Sequence, residues 1–95
     1  MKELNTFQRQ FMQEIAAIQE ETVQIALVEK GDNSLKTDYY NITAETIIHI
    51  MELLDGYRNS DMGTISITCE KNGEQLKNNP YIELHDAVCN YLKGI

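Results

Sequence analysis

The segment Thr43 to Tyr57, TAETIIHIMELLDGY, holds the densest apolar run in the chain and sets the terms for everything around it. Ile47, Ile50, Met51, Leu54 and Tyr57 recur at the spacing of one helical face. Ile48 and Leu53 widen that stripe past the roughly 100° of an ordinary surface helix. Thr43 suits the N-cap, Glu45 the positive end of the helix dipole, and Gly56 the left-handed residue that ends a helix. A central helix is expected here, one that other elements or a partner chain must cover.

Upstream, residues 3–21 form an amphipathic helix pattern. Leu4, Phe7, Phe11, Ile15 and Ile18 lie on one stripe with Met12 beside it, and Gln8, Arg9, Gln10, Gln13, Glu14, Gln19 and Glu20 fall on the opposite face. Leu4, Phe11 and Ile18 repeat at seven, over too short a stretch for a coiled coil. From Thr22 to Glu29, TVQIALVE, the period changes. Val23, Ile25 and Leu27 alternate with Gln24 and Ala26, which predicts a strand, with continuation of the first helix as the alternative. Lys30-Gly31-Asp32-Asn33 is turn chemistry, and Leu35 to Ile42 can return as a second strand carrying Tyr39 and Tyr40.

Downstream, Thr64 to Glu70 has strong strand alternation, and Asn72-Gly73 is a hairpin turn signal. Asn79 as cap and Pro80 at the first helical position open a final helix, with Tyr81, Leu84, Val88, Tyr91 and Leu92 on its stripe and Gly94 as its stop. Thr22-Val23-Gln24-Ile25 echoes Thr64-Ile65-Ser66-Ile67, and Glu29-Lys30-Gly31 echoes Glu70-Lys71-Asn72-Gly73. These echoes suggest a weak ββα repeat over 22–57 and 64–94. The expected fold is a single α+β domain over residues 1–95 in the order α-ββ-α-ββ-α, an antiparallel sheet of about four strands with helices packed on one face.

Eight basic against fifteen acidic residues give a net charge of −7. That field repels phosphate backbones, and no Lys/Arg cluster offsets it, so direct nucleic-acid binding is disfavoured. The acidity suits solubility or a basic partner. No apolar run approaches the roughly 18 residues of a membrane span. MKELNTFQRQ lacks the apolar core of a secretory signal. Two cysteines in such a chain point to free thiols in a reducing cytoplasm.

The chemical signals are sparse. His85 and Cys89 stand at i and i+4 on the final helix, and Cys69 on the neighbouring hairpin, with His49 further off, gives a weak zinc-like set. His85 and Asp86 are adjacent and diverge by about 100° on a helix, so with Cys89 they form no triad. Glu52 and Asp55, at i and i+3, read as a solvated pair able to hold a cation. There is no glycine-rich phosphate loop. No catalytic residue, cofactor or metal is expected. Tyr39 and Tyr40 are the favoured contact patch, with Phe7, Phe11, Met51 and Tyr57 as further interaction residues. The chain reads as a small acidic cytoplasmic interaction or regulatory module without catalytic activity, homodimeric because its helical stripes exceed what a small sheet covers. The alternatives are a nucleic-acid-mimicking inhibitor of a basic partner and a small metal protein or enzyme using His85 and Cys89.

Overall fold

The computed structural model describes residues 3–59 and 61–94. Its elements are α1 (Thr6–Lys30), a 3-10 turn (Asn33–Leu35), α2 (Lys36–Leu54) and a short α3 (Leu84–Val88). The expected antiparallel sheet is not formed. Among the described residues there is no strand, only an isolated bridge between Thr68 and Gln75.

α1 starts at a capping box. Asn5 accepts the Gln8 N–H at 2.7 Å, and the Gln8 side chain accepts the Asn5 N–H at 2.8 Å. With nucleation met, each further residue adds a backbone bond. The helix therefore runs straight through 22–29, where a strand was expected, and buries Val23 and Leu27 at i and i+4. Gly31, at φ 64°, ends it in the left-handed region, donating its N–H to Leu27 at 2.9 Å. The turn at 30–33 is present, but it joins two helices. Leu35 to Ile42, expected as a strand, enters α2. Thr43 consequently caps nothing, and its hydroxyl donates to the Tyr39 carbonyl at 2.8 Å.

The buried face of α1 differs from the apolar stripe. Gln8, Met12, Gln19, Val23 and Leu27 point inward, whereas Ile18 is 52% exposed. These inward positions lie roughly 100° around the axis from the Phe7–Phe11–Ile18 stripe. The cause is in residues 55–94, whose largely irregular backbone leaves carbonyls in want of donors. Gln8 Nε2 donates to Leu76 O at 3.0 Å and Pro80 O at 2.8 Å. Gln19 Nε2 donates to Tyr40 O at 3.2 Å and Lys93 O at 2.8 Å, while its oxygen accepts the Lys93 N–H at 2.9 Å.

The turn at Asn72-Gly73 forms as expected. Cys69 N–H donates to Glu74 O at 2.8 Å and Leu76 N–H to Ile67 O at 2.9 Å. Ile65, Ile67 and Cys69 are half-buried, alternating with exposed Ser66, Thr68 and Glu70. The alternation is real, but two short arms without a third strand make no sheet. The final helix is much shorter than expected. Asn79 has φ 59° and the Pro80 carbonyl is held by Gln8, so helical structure begins only after Glu83. The segments that echo one another in sequence adopt different structures, one helical and one an irregular hairpin.

Met12, Met51, Leu76, Leu84 and Val88 form the main core, flanked by Phe7, Phe11, Ile47, Ile48 and Leu54. A second cluster, Val23, Leu27 and Tyr40 with Tyr39, lies in the distal half of the α1–α2 hairpin. Gln8→Leu keeps the shape but strips the donors from Leu76 and Pro80. It is expected to cost about 2–3 kcal/mol in urea unfolding, whereas Gln13→Leu, on the exposed face of the same helix, stays within about 0.5 kcal/mol.

Candidate functional site

Two regions stand out. The first is built on Asp55, the residue that ends α2, whose side chain is fully buried. One carboxylate oxygen accepts from Lys77 Nζ and from the Leu84 N–H at 3.1 Å. The other accepts the His85 N–H at 2.9 Å and lies 2.6 Å from His85 Nδ1. Asp55 thus caps α3 from a distant part of the chain, a role that needs free N–H groups at a helix start and a carboxylate brought there by the fold. Lys77 Nζ also reaches Glu83 at 3.4 Å, and the other Glu83 oxygen accepts from Tyr57 at 3.0 Å and Tyr81 at 2.7 Å. The Tyr57 ring meets the His85 ring edge-on at 5.2 Å.

Burial by itself would raise the Asp55 carboxyl. The Lys77 ammonium, the His85 N–H and ring, and the Leu84 N–H outweigh it and hold the group below its ordinary value. The hydrogen bond to Asp55 raises His85 above its ordinary value, partly opposed by desolvation. Glu83 is lowered, chiefly by the Tyr81 hydroxyl.

Asp55, Glu83 and His85 each offer a ligand atom, all within 4.8 Å of one another. The Lys77 ammonium already occupies the position between the two carboxylates, so a metal ion would have to displace a buried cation. Neither cysteine joins this group. Cys89 is exposed, its thiol donating to the His85 carbonyl at 3.2 Å, and Cys69 is half-buried on the hairpin; both are free thiols. His49 is exposed on α2. The Asp55–His85 contact resembles the orienting half of a catalytic triad, but the Cys89 thiol is spent on the backbone rather than on the imidazole. Glu52, read as partner to Asp55, faces Arg58 at 3.9 Å instead.

The second region is one side of the α1–α2 hairpin. Ile18 and Ile25 on α1 are 52% and 59% exposed, and Ile42 and Ile50 on α2 are 60% and 49% exposed. A groove of about 190 Å³ between the helices is lined by Ile18, Thr22, Thr43, Thr46 and Ile47. The residues expected to make contacts are placed variously. Met51 and Tyr40 are in the core, Phe7 and Phe11 flank it with their rings edge-on to each other at 6.2 Å, Tyr39 is half-buried beside the second cluster, and Tyr57 is 64% exposed. Ile42 joins Thr46 and Ile50 at i, i+4, i+8 only because α2 begins at Lys36, and Ile50, part of the expected apolar stripe, faces outward at 49% exposure.

Comparison with protein-family models, curated proteins and solved structures finds no match. Among the described residues, no helix is long and apolar enough to cross a membrane.

Asp55→Asn leaves Lys77 buried beside a neutral group and is expected to cost about 3–5 kcal/mol in denaturant unfolding. The pH dependence follows from the two opposite shifts. The His85 contribution is complete below its ordinary value of 6.5 and is lost as pH rises through the higher folded value. The Asp55 contribution is present above 3.8 and is lost as pH falls through the lower folded value. Thermal unfolding across pH is expected to show stability declining on both sides of that window, and His85→Asn to flatten the alkaline decline.

Proposed function

We propose that this chain is a small acidic protein-interaction module that works by contact through the α1–α2 face and performs no chemistry of its own. The observation that carries the reading is the four half-exposed isoleucines, two on each helix: Ile18 lines the groove between the helices, and by helical spacing Ile25 lies above it on α1 and Ile42 and Ile50 on the groove side of α2. Isolated exposed apolar residues are ordinary, but a contiguous patch on a small protein marks a contact surface. On α1 the exposed isoleucines follow from the rotation that turns Gln8 and Gln19 inward, and on α2 Ile42 and Ile50 lie away from the buried Tyr40, Ala44 and Met51.

A homodimer is the simplest pairing such a surface suggests. A symmetric pair would set the same patch against itself, and with it the exposed Glu14, Glu21, Asp38 and Glu45 that helical spacing puts along its edges, which weighs against a second copy. Mimicry of nucleic acid draws less support. Asp55, Glu20, Glu74 and Glu83 are engaged in internal bonds, and the exposed acids Glu14, Glu21, Asp38 and Glu45 flank an apolar strip that has no counterpart in a phosphate backbone.

Affinity capture from the native host tests the reading. Ile18→Glu/Ile42→Glu is expected to keep the circular dichroism of the parent, because both positions are exposed, and to lose the proteins that the parent retains. Glu70→Lys, on the hairpin turn, is expected to keep them. Unchanged capture by the folded double variant would refute an interaction role for this face.

A further inference from the structure

We propose that the occupant of the α1–α2 face is a basic amphipathic helix, presenting aliphatic residues at helical spacing with Lys or Arg along both flanks. This inference rests on the interaction reading above and adds to it the kind of partner.

The shape of the face comes first. Gln19 bonds to the Tyr40 carbonyl and Thr43 hydroxyl, which fixes how the antiparallel helices align. Ile42 lies near the level of Ile18, and Ile50 near that of Phe11, so the apolar strip from Ile50 to Ile25 extends over about four helical turns, roughly 20 Å. Its floor is threonine. Thr43 and Thr46 donate their hydroxyls to the carbonyls of Tyr39 at 2.8 Å and Ile42 at 2.9 Å. Both hydroxyl hydrogens are thus used within α2, and the Thr43 oxygen also accepts from Gln19 at 3.2 Å, so the side chains present mainly their methyl groups to a visitor. Small residues between two aliphatic ridges admit the apolar side of a third helix.

Charge then selects among helices. By helical spacing, Glu14 and Glu21 lie along the outer edge of the α1 strip, and Asp38 and Glu45 along the outer edge of the α2 strip. All four are exposed. Among the described residues, none of the four has a cation at ion-pair distance, whereas Glu20, Glu52, Asp55 and Glu83 each do. A greasy strip between two unpaired acidic borders is complementary to a helix whose aliphatic side seats in the strip while long basic side chains reach outward to the borders. A second copy of this chain, or an acidic helix, would instead bring like charges together along both borders.

The test uses a defined probe, a labelled peptide of about 18 residues with Leu at i, i+3, i+4 and i+7 and Lys elsewhere. Its counterpart carries Glu in place of every Lys. Fluorescence anisotropy with the full chain is expected to show saturable one-to-one binding of the Leu/Lys peptide only, weakening as salt is raised. Ile18→Asp/Ile42→Asp is expected to weaken binding about tenfold or more. Glu14→Gln/Glu45→Gln is expected to weaken it about threefold or more, while Asp61→Asn/Glu70→Gln, with the same change in net charge, leaves it as in the parent. Equal binding of both peptides, or equal weakening by the two charge variants, overturns the proposal. A dimer in light scattering that Ile18→Asp/Ile42→Asp dissolves, without peptide binding, overturns the basic helix but leaves the interaction face in place. Neither dimer nor peptide binding, with native-host capture also unaffected, refutes both.

Discussion

Two glutamine side chains on the inner face of α1 hold the molecule together. Residues 55–94 form little regular structure, so their backbone groups cannot all satisfy one another locally. The Gln8 amide serves the carbonyls of Leu76 and Pro80, and the Gln19 amide joins Tyr40 to Lys93 with both of its polar atoms. Leaving such groups dry and unpaired is more costly than leaving an isoleucine in water. α1 therefore turns its amides inward and part of its apolar stripe outward. The α1 half of the exposed face, Ile18 and Ile25, follows from that choice.

Asp55 performs a related service at the other side of the core. Helix α3 is short and has no side-chain cap of its own at Glu83. The Asp55 carboxylate supplies one from the end of α2, and Lys77 balances its charge. Tyr57, Tyr81 and Glu83 extend the arrangement toward the surface. A buried charged group with this many partners ties three separate stretches of chain into one geometry, because removing any one partner exposes the cost of burying the others.

The local signals were legible where one residue type decides the backbone. Gly56 marks a helix end and Asn72-Gly73 a tight turn, whereas Gly31, expected in a turn between strands, ends a helix. The apolar run at 47–54 is helical as its spacing indicates. The stretch 22–29 was ambiguous because Val23, Ile25 and Leu27 fit an alternating strand, while Val23 and Leu27 equally fit one side of a helix. The capping box at Asn5 and the absence of a partner strand decided the matter. Polarity alone puts Gln8 and Gln19 on the solvent face, since no local pattern announces that a glutamine will be consumed by backbone 68 to 74 residues away. The Asp55 cluster was hidden for the same reason. Its members are scattered along the chain, and the local spacings pair Asp55 with Glu52 and His85 with Cys89, neither of which is the pairing the fold makes.

The division of the interior into two clusters bears on how the molecule breathes. Beyond Gln19 the hairpin is fastened by Val23, Leu27 and Tyr40, with Glu20 joining the Tyr40 hydroxyl to Lys93. That is thin anchorage beside the five-residue core at the opposite end. The tip can therefore open as its own cooperative unit while the remainder stays closed, so one end of the molecule is yielding and the other stiff.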